Sequence, residues 1–130
     1  MKNAFSLIEL LVTVAIIGIL AAVGTLAYSG FVESAKEKQA TTALSSIYLA
    51  QEEYRAMNKS FYAPTAACTD ASDDQSATIN TTLFSGEQTL DNENYTFCIT
   101  THGTGYIAHA YAIRNGATDF NINGIGTRSW

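Results

Sequence analysis

The chain has 130 residues, enough for one domain plus an anchor. Apolar residues make up 47% of it, and the long ones are densest before residue 33, which leaves a small, more polar domain with scattered aromatics after it. The net charge is −5, with 7 Lys and Arg spread along the chain, and this argues against a broad nucleic-acid-binding surface of clustered basic side chains.

Residues 5–32 read FSLIELLVTVAIIGILAAVGTLAYSGFV. No charge occurs between Leu10 and Val32, a run of ~23 residues, or roughly 34 Å of helix, which is enough to cross a bilayer core. A secretory signal peptide is the competing reading, but its apolar region is shorter and ends in a cleavage site before a polar mature start. Here helix-forming sequence continues straight out of the apolar run, so a retained span is expected. Lys2 precedes the span and Glu33 follows it. The positive-inside rule therefore puts the N-terminus in the cytoplasm and the domain outside.

Beyond the span, Ala40, Ala43, Leu44, Ile47, Ala50, Tyr54 and Met57 recur at spacings of three and four, one face of an α-helix. Glu33, Lys36, Glu37, Lys38, Glu52, Glu53 and Arg55 occupy the opposite face. No proline intervenes before Pro64, so one long helix is expected over residues 5–58, its first half bare and its second half packed on the rest of the chain. Gly18, Gly24 and Gly30 are places where it can loosen.

Residues 59–94 are rich in Ser, Thr, Asp, Asn and Ala and read as a loop, with a short helix or strand near residues 78–84. From Tyr95 onward, YTFCIT, GYIAHAYAI and DFNIN are strand-like runs separated by the turn-forming THGTG and RNGAT. The alternating sets are Tyr95, Phe97 and Ile99; Ile107, His109, Tyr111 and Ile113; and Phe120 and Ile122. Three such strands joined by tight turns make an antiparallel meander, one face of which covers the amphipathic half of the helix. The fold class is α+β. Cys68 and Cys98 are the only cysteines. An even count in a domain outside the membrane predicts a disulfide that ties the loop to the first strand.

Glu9 is the anomaly, because a charge in hydrocarbon costs roughly 2.5–3.5 kcal/mol or more. A counter-ion becomes available if the chain is cut between Ala4 and Phe5, since the new α-amino group lies one helical turn from Glu9. In a helical stack of subunits that amine can also meet a neighbour's Glu9, and a desolvated pair fixes register. The simpler reading leaves Glu9 in the headgroup region of a plain anchor.

The N-terminal MKNAFSLIELLVTVAIIGILAAV resembles that of type IV pilins and type II secretion pseudopilins, specifically over residues 1–28. The C-terminal DFNINGIGTRSW is similar, over a few residues, to the last strand and tail of the pilin-E-like group. The resemblance implies a leader at residues 1–4, a filament-core helix at 5–32, its amphipathic half at 33–58, an αβ-loop at 59–94 and a sheet with tail at 95–130. It implies that a prepilin peptidase cuts after Ala4 and methylates the amine of Phe5, and that Glu9 registers the incoming subunit. It further implies partners: other copies in a helical filament, an assembly platform, motor ATPases, and the inner membrane before assembly. Two positions depart from the family pattern. Ala4 stands where Gly is usual before the cut, and Leu26 stands where a helix-kinking proline is common.

Nothing suggests catalysis or a cofactor: there is no glycine-rich phosphate loop, no HExxH and no paired Cys motif. His102 and His109 have no nucleophile or carboxylate at a meaningful spacing, and Cys98 with His102 has no second ligand pair for a metal. Asp70, Asp73 and Asp74 could offer oxygen ligands to Ca²⁺, but without the glycine and distal Glu of an EF-hand they read as a solvated loop. The expected function is therefore structural: a pilin polymerising into a surface fibre that serves adhesion, twitching motility or DNA uptake, with no specific nucleic-acid binding of its own. The alternatives are a minor pilin or secretion pseudopilin and, from a different class, a membrane-anchored binding domain that never polymerises.

Overall fold

The computed structural model describes residues 5–64 and 67–130. The chain divides into two compact units, the first ending at Ala35 and the second running from Lys36 to Trp130. One helix, α1 (Leu7–Asn58), belongs to both.

Helix α1 begins at Leu7, two residues later than the periodicity suggests, because Ser6 caps it. The Ser6 carbonyl accepts the N–H of Leu10 (3.3 Å), and the Ser6 N–H donates to Glu9 Oε2 (3.0 Å). This is half of a capping box, with the acid three residues inside the N-cap reaching back to it. At its other end the helix stops where Lys59 enters the left-handed region (φ 62°), its N–H donating to the Arg55 carbonyl at 2.8 Å.

In the second unit, Ala40, Ala43, Leu44, Ile47 and Ala50 of α1 are buried, as the spacing predicts. Met57 departs from the expected face and is 70% exposed. The chain reverses just beyond it, and Phe61 and Tyr62 pack against the core in its place. Gln51, a polar residue on the apolar face, is fully buried. Its amide donates to the Tyr62 carbonyl and accepts the Tyr62 N–H (2.9 Å), clamping the returning segment to the helix.

The loop region contains a helix, α2 (Ser76–Leu83), starting two residues before the expected position. Strands β1 (Tyr95–His102), β2 (Gly105–Ala112) and β3 (Phe120–Asn123) form one antiparallel sheet in the order β1-β2-β3. The first connection is a tight turn in which Gly103 has φ 59°. The second is longer, over residues 113–119, and its Asp119 carboxylate accepts the N–H of Ala112 at 2.8 Å.

On β2 the inward set is opposite to expectation: Tyr106, Ala108 and Ala110 are buried, while Ile107, His109 and Tyr111 are only partly covered on the other face. Register explains the inversion. Ala110 lies between Phe97 and Phe120, and Ala108 lies between Ile99 and Ile122. Small side chains in the central strand leave space for the large ones beside them and for Leu44 and Ile47 of the helix, all in one core.

Both edges of this sheet are covered. Along β1, Gln75 N–H donates to the Phe97 carbonyl (2.8 Å), Phe97 N–H donates to Ser76 Oγ (3.2 Å), and Ile99 N–H donates to Gln75 Oε1 (3.2 Å). Along β3, the C-terminal tail returns to pair Ile122 with Arg128, and Ser129 exchanges hydrogen bonds with Asn121. Edges covered in this way do not recruit strands from other chains.

Candidate functional site

The first unit offers apolar side chains and one acid. Every large apolar residue from Phe5 to Phe31 is exposed, and α1 is long and apolar enough here to cross a membrane. Three of its hydroxyls are satisfied internally: Thr13, Thr25 and Ser29 donate to the carbonyls of Leu10, Ala22 and Leu26 at 2.8, 3.1 and 2.9 Å. Such self-contained hydroxyls suit a hydrocarbon surrounding. The helix is uninterrupted at Gly18, Gly24 and Leu26.

Glu9 sits in the first turn, where the partial positive charge of the helix end favours an anion. Its Oε2 takes the Ser6 N–H, and among the described residues no cation lies within ion-pair distance of it. A carboxylate with one weak neutral donor is under-compensated for an apolar site and has capacity for a stronger partner. Phe5, two residues before the helix, is 76% exposed. Ala4 lies outside the described residues. The sequence signal for the cap was the spacing of Ser6 and Glu9, an S-x-x-E box, which the apolar pattern around it hides.

The remaining candidate residues lie on the outer face of the sheet. Cys68 and Cys98 form a disulfide with Cα atoms 5.9 Å apart. The Tyr111 hydroxyl donates to the Cys68 carbonyl at 2.9 Å, so the segment carrying Cys68 lies over β1 and β2. That cover explains why Thr96 and Cys98, on the face away from the helix, are as buried as Tyr95, Phe97 and Ile99.

The His109 ring stacks on Tyr111, with centroids 5.3 Å apart. Burial pushes the His109 imidazole below its ordinary value, with Asp119 acting against that shift. Burial, then the charges of Asp119, Asp73 and Asp70, push the Tyr111 phenol up. His102 ends β1 on the exposed side.

Asp70 and Asp73 are used as turn-makers. Asp73 accepts from the Thr69 N–H and hydroxyl at 2.7 and 2.8 Å, and Asp70 accepts from the Ser72 N–H at 2.7 Å. Asp74 accepts from the Ser76 N–H and from Asn92, both at 2.9 Å. Among the described residues no group of three or more His, Cys, Asp or Glu could hold a metal ion.

A bare apolar helix headed by an acid fits the resemblance of the N-terminal sequence, and the comparison with protein families supports it over that segment. Residues 1–25 match the family described as the prokaryotic N-terminal methylation motif. This motif is typical of type IV pilins and pseudopilins. The match does not extend beyond residue 25, and no curated protein or solved structure matches the chain. The pilin-like character of the remainder rests on its architecture, an α+β fold with a long N-terminal helix packed on a three-stranded antiparallel sheet. Proteins of the pilin family are structural rather than enzymatic.

Proposed function

We propose that this pilin-family chain is a structural subunit that polymerises into a type IV pilus on the bacterial surface. In this reading residues 1–4 are a leader removed by prepilin peptidase, and the amine of Phe5 is then methylated. Residues 5–32 hold the precursor in the inner membrane and later form the filament core. Residues 33–58 join that core to the outward domain, made of the αβ-loop at 59–94 and the sheet and tail at 95–130. A platform protein and motor ATPases drive extension.

The observation that carries the reading is Glu9 at the head of a helix whose apolar side chains are all exposed. In lipid such a surface needs no partner, but the carboxylate does. A neighbour's processed α-amino group supplies the charge, and the pairing sets the axial step between subunits. Adhesion and twitching motility are the roles such a fibre would serve.

The motif serves pilins and secretion pseudopilins alike, and the same physics operates in a short assembly. Shearing intact cells separates the readings. A major pilin is expected as the bulk component of the recovered fibres, while a chain that stays with the membrane fraction in every growth condition is an anchor or a pseudopilin.

A further inference from the structure

The two ends of the sheet in the second unit differ in charge. At the end where β2 begins, a groove of about 600 Å³ is lined by Arg55, Lys59, Phe61, His102, Tyr106 and Ile125. The Arg55 guanidinium lies 5.0 Å from the centre of the Phe61 ring and 3.8 Å from Glu52, so one acid partly offsets it. Ile125 at the rim is 85% exposed.

At the end where β2 finishes, a smaller groove of about 300 Å³ is lined by Asp70, Tyr111, Ile113 and Asp119, among others. Asp73 joins this end through Thr69, which lines the groove and donates to the Asp73 carboxylate at 2.7 Å. Asp91 and Glu93 precede β1 at this end, and Arg114 is the basic residue of the neighbouring connection. The eight residues of β2 separate the two grooves, roughly 24 Å at ~3.4 Å per residue.

Opposite charges at opposite ends of one rigid element favour head-to-tail contact. A patch that faces a different patch on an identical chain generates an open array rather than a closed dimer. Strand addition does not compete, because Gln75 and Ser76 cover one sheet edge and the tail covers the other. At a net charge of −5 copies repel each other overall, and placing basic groups against acids offsets that repulsion in a contact between outward domains.

We propose that the Arg55–Lys59 groove receives the acidic end of a second copy, the edge around Asp70, Asp73 and Asp119, in the assembled fibre. The inference rests on the pilus reading and adds the contact that orients the outward domains around the helical core. Phe61 and Ile125 give the contact an apolar floor, and the charges select the register and suppress wrong pairings.

Charge exchange in the full-length chain tests it. Reversing the basic end (Arg55→Glu with Lys59→Glu) is expected to lower sheared-fibre yield by roughly tenfold or more, as like charges then meet. Changing the acidic end (Asp70→Lys with Asp119→Asn, which keeps an acceptor for Ala112) is expected to do the same. All four changes in one chain are expected to restore fibres. Thermal melting of each variant, required to match that of the unaltered chain, separates lost assembly from lost folding. Loss without rescue at unchanged melting temperature overturns the inference. Fibres that keep wild-type yield and symmetry under both sets, while Glu9→Gln abolishes them, overturn it and leave the pilus reading standing. Intact fibres whose basic-end variant loses retention of a carboxylated polysaccharide overturn it in favour of a glycan occupant. An unaltered chain that forms no fibres overturns both.

Discussion

Replacing Glu9 with Gln is expected to abolish fibres while leaving the subunit folded, processed and in the membrane. Gln keeps an oxygen that can accept the Ser6 N–H, now at 3.0 Å from Glu9 Oε2, so the start of α1 survives. What disappears is the negative charge. Leaving one member of a desolvated ion pair without its partner costs roughly 3–5 kcal/mol, and every 1.4 kcal/mol is about tenfold in an equilibrium. Each subunit addition therefore weakens by about 10²-fold or more, and the loss recurs at every step of the fibre. Sheared material from cells carrying the variant, weighed against the membrane-bound pool, reads the effect. An unchanged pool with fibres absent is the expected result. Fibres of normal yield would mean that Glu9 is a simple capping residue.

The second large effect is expected from the disulfide. Cys68 and Cys98 are 30 residues apart, and closing a loop of that size stabilises by about 3.5 kcal/mol in the chain-entropy model. The Cys68 segment also covers the outer face of β1 and accepts the Tyr111 hydroxyl, so its release exposes Thr96 and the stacked His109–Tyr111 pair. Cys98→Ala with Cys68→Ala is expected to lower the melting temperature by roughly 15–25 °C for a domain of this size. Reductant on the unaltered chain should reproduce most of that shift. A change of only a few degrees would show that the Tyr111 contact and the covered strand edge hold the loop unaided.

The parts legible in the sequence are those governed by local period or by a short pattern. The 3.6-residue spacing located α1 and its buried face from Ala40 to Ala50. The Tyr- and Ile-rich runs located three strands, and two cysteines in a domain expected to lie outside the membrane anticipated their bond. The phase of β2 was not legible, because both of its faces carry apolar or aromatic residues. Only the register against Phe97, Ile99, Phe120 and Ile122 selects the face with the alanines.

Buried polar clamps were equally hidden. Gln51 bonds the backbone of Tyr62, and Asn80 bonds that of Leu90 in the same two-way manner, at 3.1 and 2.9 Å. In sequence each is indistinguishable from a surface residue, since its role depends on where a distant segment returns. At the N-terminus the reverse holds. The acid stood out at once, while its local partner, the Ser6 N–H, shows only once the helix has a defined first residue.

The proposed assembly hangs on a cut before Phe5 that would turn an amide into a cation one helical turn from Glu9. Intact mass and terminal fragmentation of the chain recovered from the cell surface address it directly. The account predicts a polypeptide beginning at Phe5 with one added methyl group on its amine. Surface protein that still begins at Met1 would contradict it, because Glu9 would then face its neighbours without the charge it requires.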